Sequence, residues 1–120
     1  MFILKVIFAG FFIYAGIMHF IKPRFFNHFI PAGLPKLAVN YLAGFIEFFL
    51  GIGLFFPAVT NNASLGIFIL LILFLPIHIW DATKIKPAIG SKKLAYIRIS
   101  LQFLLMYGAY LIYLYSLPIT

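Results

Sequence analysis

The chain has 120 residues, of which 65% are hydrophobic, 20% aromatic and 9% charged. Soluble domains average about 45–50% apolar and about 25% charged residues, so this composition excludes an ordinary soluble domain and predicts an integral membrane protein in the lipid bilayer. The absence of cysteine excludes disulfides, thiolate metal sites and thiol redox chemistry. The net charge of +7 does not indicate nucleic-acid binding, because the basic residues cluster in short segments between apolar runs.

Four apolar stretches, at about residues 2–21, 37–56, 63–82 and 94–117, are each near the length of about 20 residues that a transmembrane helix needs. They predict an all-α fold, an integral membrane four-helix bundle that forms one domain. The first stretch is predicted to be a retained helix rather than a secretory signal, because it contains Lys5 and no small-x-small cleavage site follows it.

The connections between the stretches differ in character. Residues 22–36 contain three prolines and a glycine, which exclude a long helix, yet the phenylalanines there are too apolar for a solvated loop. We expect this segment to lie along the headgroup boundary or to fold back over the bundle. The short uncharged segment 57–62 predicts a tight antiparallel hairpin of the second and third helices, and residues 83–93 predict a solvated basic loop.

The basic residues predict the orientation in the membrane. Seven of the nine Lys and Arg residues lie in segments 22–36 and 83–93. By the positive-inside rule these two loops face the cytoplasm and both termini face outward. The predicted location is the plasma (inner) membrane, which the chain crosses several times.

Polar side chains within the predicted spans are few, and they gather toward one end. Only two acidic residues exist in the chain, and a carboxylate inside the hydrocarbon layer costs several kcal/mol. A residue of this kind usually has a partner or a function. The candidates for ligand binding or proton handling are His19, Glu47, His78, Asp81, Arg98 and Gln102.

Helical spacing predicts that most of these side chains point inward. Ala43, Gly44 and Gly51 lie on the helical face of Glu47, and small residues mark the face where membrane helices approach closely. Small residues precede His19 in the same way. His78 and Asp81, which is the second acid and lies three residues further along, are predicted to share a helical face.

Two interpretations of this cluster remain open. Glu47 and Asp81, with the two histidines beside them, would line a small wet cavity that binds a ligand or relays a proton. Alternatively, the two acids and Arg98 would form ion pairs that only fix the register of the helices.

Cofactors are a weaker possibility, and none is predicted. His19 and His78 could ligate a haem if both point inward with room for a macrocycle. The same histidines with an acid could bind a metal, although no ligand spacing is diagnostic, so no metal site is predicted. The Phe-rich faces are interpreted as lipid contacts before quinone contacts.

The order of three short motifs resembles a known family. The motifs are A-G-x-x-H-F-x-x-P, G-x-x-E-x-x-x-G and F-x-P, and they cover about residues 9–82. In this order they resemble the DoxX-like small membrane proteins, whose pattern is matched by His19, Pro23, Glu47, Gly51 and Pro76. The resemblance implies a four-helix membrane bundle. One namesake is a subunit associated with a thiosulfate:quinone oxidoreductase, and others are linked to membrane redox complexes or to the assembly of membrane proteins.

Two functions are compatible with these observations. The chain is predicted to be an accessory or assembly subunit of a membrane complex, possibly a redox complex, with a membrane-protein partner or as a homo-oligomer. This prediction is favoured by the absence of a complete catalytic set, which also argues against an enzyme acting alone. The alternative is a small protein that handles a quinone, a lipid or a proton, and the depth of Glu47 favours it.

Overall fold

The computed structural model describes residues 1–116, which form four long helices and one short 3-10 helix, without strands in this part of the chain. The long helices are α1 (Phe2–Ile21), α2 (Lys36–Gly53), α3 (Thr60–Thr83) and α4 (Lys92–Tyr115). The 3-10 helix, Pro23–Phe29, is called the connecting helix below. All four long helices are long and apolar enough to cross a membrane. The predicted all-α fold is confirmed, and the protein is a membrane protein.

The helix boundaries differ from the predicted ones mainly between α2 and α3. Helix α2 ends at Gly53, three residues before the predicted end, because glycine weakens the helix there and Pro57 follows. Helix α3 begins at Thr60, whose hydroxyl donates to Leu54 O (3.1 Å) and Phe56 O (2.9 Å). The predicted end of the fourth span, at residue 117, lies outside the described residues.

Local sequence explains where the other helices begin and end. Helix α1 stops at Ile21 because Lys22 precedes Pro23 and takes a non-helical conformation. Helix α4 begins after Ser91, whose Oγ accepts a hydrogen bond from the Leu94 amide (3.2 Å), as a good N-cap does. Gly90, just before this cap, has φ +129°, a conformation that favours glycine.

The four helices form two hairpins rather than an evenly packed bundle. Helix α1 packs along α2, and α3 packs along α4, whereas contacts between the two pairs are sparse. The predicted tight hairpin of α2 and α3 is therefore wrong. The segment that joins them is short, but the small-residue face of α2 is already occupied by α1.

The α1–α2 interface depends on glycines that let the two backbones meet. A Cβ atom placed on Gly16 would lie 2.7 Å from both Gly44 O and Phe48 N. A Cβ atom placed on Gly44 would lie 2.7 Å from the Cβ of His19. Membrane helices associate through such close contacts of small residues, since lipid tails provide no hydrophobic force between helices.

The apolar core fills only one end of the molecule. Its buried side chains come from the first half of α1, the end of α2, the start of α3 and the end of α4, and they include Phe12, Leu54, Ile67 and Ile112. The outer surface is also apolar, with many large side chains such as Leu73 exposed, as lipid contact requires. The larger cavity and the buried ionisable side chains lie toward the opposite end of the bundle.

The connecting helix folds over this opposite end. Its Phe26 ring stacks on His19 of α1, with ring centroids 3.8 Å apart. Its Phe29 ring meets His78 of α3 edge to face at 5.9 Å. Of the two positions expected for this segment, the one over the bundle is observed, and the connecting helix thereby contacts both hairpins.

The glycine contacts lead to a stability prediction. Gly16→Ala and Gly44→Ala should each lower the stability by about 1–3 kcal/mol, because the added methyl group meets backbone atoms that cannot move aside. Gly10→Ala is the matched control, since no atom of residues 1–116 that could clash lies within 4 Å of its Cβ position. Thermal unfolding of the purified variants in detergent measures the difference. Equal melting of Gly44→Ala and Gly10→Ala would contradict the close approach of α1 and α2.

Candidate functional site

A cavity of about 600 Å³ lies between the two hairpins, at the end covered by the connecting helix. Its volume is in the range of about 300–1,000 Å³ that is usual for small-molecule sites. Most of its wall is apolar, and Phe11, Phe12 and Phe74 contribute to it. The polar side chains that line the cavity are His19, Arg24, His28, Asn40, Glu47, His78 and Arg98.

Four of the six predicted site residues meet in this cavity. They are His19, Glu47, His78 and Arg98, one from each long helix. The Glu47 side chain is buried, with 6% of the residue exposed, so its predicted inward orientation is confirmed. The other two candidates, Asp81 and Gln102, are also buried but do not line the cavity.

A buried amide fixes the tautomer of His19. Asn40 Nδ2 donates to Lys36 O (2.9 Å) and to Asn27 Oδ1 (3.1 Å). Because a backbone carbonyl only accepts, this pattern orients the Asn40 amide and leaves Oδ1 facing His19 Nδ1 at 3.0 Å. His19 Nδ1 is therefore the donor in this contact and carries a proton.

The other ring nitrogen of His19 faces the buried acid. His19 Nε2 lies 3.4 Å from Glu47 Oε2. This is an ion-pair distance, but the contact does not have hydrogen-bond geometry, so Glu47 Oε2 has no hydrogen-bond partner among residues 1–116. With its proton on Nδ1, a neutral imidazole would turn a lone pair toward a carboxylate, which is repulsive. The pair is therefore favourable when it holds one more proton, either on Nε2 or on the carboxyl group.

Arg98 lines the cavity, and a hydrogen bond to a residue of its own helix holds its side chain in place. Its Nη1 donates to Gln102 Oε1 at 2.7 Å, and Gln102 Nε2 donates to Leu71 O at 2.7 Å. Gln102 thus holds the guanidinium in place rather than contacting the cavity. Among the described residues, the ion-pair contacts of the two acids come from His19 and from Lys84. The ion pair expected between Arg98 and an acid does not form within 4.0 Å.

Asp81 has a structural task outside the cavity. Its Oδ1 accepts from the Ala88 amide (2.7 Å) and its Oδ2 from the Ile89 amide (3.4 Å). Lys84 Nζ lies 3.2 Å from Oδ1. The expectation that Asp81 would line the cavity beside His78 is wrong, because both of its oxygens face the loop that precedes α4. Positions three apart on a helix point only about 60° from each other, so the divergence of the two side chains comes from the contacts that each one makes and not from the helix itself.

His78 lies on the opposite wall from His19. Its Nδ1 is buried and has no hydrogen-bond partner among residues 1–116. The ring contacts Phe29 of the connecting helix, and it lies within electrostatic range of both Arg98 and Asp81. Like Glu47 Oε2, the Nδ1 atom of His78 therefore belongs to a cavity-lining residue and has an unused capacity for hydrogen bonding.

Several residues of the site were not among the predicted ones. Asn40 and Asn27 fix the proton position on His19, while Phe26 and Phe29 hold the two imidazoles. The unusual number of phenylalanines in a proline-rich connection was the sequence signal for the last two. Within residues 1–116, no group of three or more His, Asp or Glu side chains is arranged to hold a metal ion.

The comparisons with known proteins identify a family for this chain. Residues 8–113 match the family model described as Domain of unknown function (DUF8561). The chain belongs to this family. No curated protein and no solved structure matches the chain. The matched range contains every residue that lines the polar end of the cavity in this DUF8561 protein.

The role of Asn40 leads to a second stability prediction. Asn40→Leu should lower the stability by about 1–3 kcal/mol, because it leaves the buried Nδ1 of His19 without its acceptor. Asn62→Leu is the matched control, since Asn62 is exposed near the start of α3. Both variants are compared with the parent by thermal unfolding in detergent. A melting temperature of Asn40→Leu equal to that of the parent would exclude the proposed network.

Proposed function

We propose that the protein binds a small lipophilic molecule with a polar head group in the cavity between the two hairpins. The observation that carries the proposal is a pair of buried atoms, Glu47 Oε2 and His78 Nδ1, without hydrogen-bond partners among residues 1–116. Both belong to residues that line the cavity. Buried polar atoms nearly always have a partner, and the head group of a ligand would provide it.

The two ends of the cavity support an amphipathic ligand. Polar side chains gather where the connecting helix covers the bundle, while Phe11, Phe12 and Leu71 face the cavity from the side of the apolar core. A head group would lie among the polar side chains, and a tail would extend toward the phenylalanines. Small-molecule sites commonly combine a mainly apolar wall with a few convergent polar groups.

The proposal selects the ligand-handling function from the two that the sequence favours. A quinone or a lipid fits the description of the ligand. Haem is not part of it, because both ring nitrogens of His19 already face protein atoms. Three further statements stay predictions from the sequence: the function as an accessory subunit, the association with a protein partner or as a homo-oligomer, and the resemblance to DoxX-like proteins.

The membrane in which the protein resides and its orientation there are also proposals. We infer that the protein resides in the plasma (inner) membrane with loops 22–36 and 83–93 in the cytoplasm and both termini outside. The basic residues of these loops support this orientation, and they lie at the end of the bundle that holds the cavity. The ligand would then have its head group near the cytoplasmic face.

Filling the cavity tests the proposal directly. Ala43→Trp places a large side chain on the cavity wall and should remove a noncovalent small-molecule adduct seen by native mass spectrometry of protein extracted in mild detergent. Ala38→Trp, on the exposed side of the same helix, is the control and should retain the adduct. Thermal unfolding confirms that both variants fold. The proposal fails if the parent protein carries no adduct and also shows no saturable binding of a lipophilic probe.

Replacing the buried acid separates ligand binding from packing. Glu47→Leu should melt near the temperature of the parent, because Glu47 Oε2 has no hydrogen-bond partner among residues 1–116 and loss of the shared proton leaves His19 neutral instead of leaving an unpaired charge. The same variant should lose the adduct. Glu47→Gln, which keeps a hydrogen-bonding head at the same position, should retain more of it. If both variants unfold and lose the adduct together, the acid serves the packing of the helices.

A further inference from the structure

The charge of the cavity follows from the proton positions around His19. Asn40 fixes a proton on Nδ1, and the contact of Nε2 with Glu47 requires a second proton within the pair. Whether that proton resides on the imidazole or on the carboxyl group, His19 and Glu47 together carry no net charge. The negative charge of Glu47 is thereby balanced by the proton of this pair, although Glu47 also lies within electrostatic range of Arg98.

Among residues 1–116, Arg98 then has no acid within ion-pair distance. Its guanidinium is permanently protonated, and its hydrogen bond within residues 1–116 goes to the neutral oxygen of Gln102. The second acid of the chain, Asp81, is engaged by Lys84 and two backbone amides outside the cavity. A neutral pair plus one guanidinium gives the inner cavity an uncompensated positive charge.

Among residues 1–116, no other group that faces the cavity is negatively charged. Arg24 and His28 of the connecting helix lie where it opens to the surface, and His78 lies on the α3 wall. None of them is an anion. A positive charge at a mainly apolar cavity wall is unfavourable without a partner, and the cavity itself is where a partner has room.

From this charge we propose that the ligand is an anionic amphiphile, with a carboxylate or a phosphate monoester head on a single lipophilic tail, and that Arg98 binds the head. This inference rests on the proposed ligand-binding function. A guanidinium offers five N–H donors, of which Gln102 uses one, so a forked contact to an oxyanion remains open. A single tail agrees with the volume of about 600 Å³.

Matched probes with the same tail test the charge of the head. Isotope-labelled dodecanoate is bound to the full-length protein in a nonionic detergent, and unlabelled dodecanoate, dodecyl phosphate, dodecanol, dodecylamine and a short-tailed quinone compete for it. An anionic head should compete about tenfold or more better than dodecanol, the size expected for charge-assisted hydrogen bonds. Comparison of dodecanoate with dodecyl phosphate distinguishes the two kinds of anion.

Three charge variants locate the head group. Arg98→Gln should bind dodecanoate and dodecanol equally. Its melting temperature should stay close to that of the parent, because the amide of the new Gln can still donate a hydrogen bond to Gln102. Lys93→Gln removes one exposed positive charge at the same end and should leave the preference unchanged. Loss of the preference in Arg24→Gln but not in Arg98→Gln would put the head at the opening and overturn the inference.

The outcomes separate this inference from the function on which it rests. Tight competition by dodecanol or the quinone, abolished by Ala43→Trp, would keep the ligand-binding function and refute the anionic head. Failure of every probe to bind in a saturable way would refute both. Preference for anions that Arg98→Gln removes supports both.

Discussion

The close contact of two helix backbones determines most of the arrangement at the polar end. Gly16 and Gly44 face each other across the α1–α2 interface with no room for a methyl group between them. This approach brings His19, one turn after Gly16, beside Glu47, one turn after Gly44. A wider helix pair would leave the acid facing lipid alone, at a cost of several kcal/mol. The two glycines therefore allow the contact between His19 and Glu47 as well as the close packing of α1 and α2.

The division of the molecule into two hairpins explains why a cavity can exist beside a well-packed core. Where α1 meets α4, Phe8 lies against Gly108, and the apolar side chains interdigitate. At the other end, polar side chains from both hairpins line the cavity, and polar groups do not pack against one another without hydrogen-bond partners. The connecting helix covers this space instead of filling it. The same four helices thus pack into an apolar core at one end and leave a polar cavity at the other.

Sequence alone was sufficient for the helices and for the direction of the buried acid. Apolar length located all four spans, and Gly44 and Gly51 beside Glu47 predicted its inward face. The pairing of helices could not be derived in this way, because short connections such as the one after Gly53 join neighbours in the chain without requiring extensive packing. The small-residue faces predict that a helix meets a partner, but they do not say which partner.

The site was only partly predictable for a similar reason. Spacing along a helix gives the direction of a side chain from its own axis, and it placed His78 and Asp81 on one face. The actual separation depends on the loop before α4, whose free amides draw Asp81 away. The tautomer of His19 likewise depends on Asn40, an amide from another helix. Such contacts arise from the tertiary arrangement and have no local sequence pattern.

The position of the connecting helix has a mechanical consequence. Phe26 stacks on His19, Phe29 meets His78, and the carbonyl of His28 accepts a hydrogen bond from Lys84 at the end of α3 (2.7 Å). One short segment is thus clamped to both halves of the molecule. A shift of that segment would therefore remove the aromatic contacts of His19 and His78 at the same time, on both walls of the cavity.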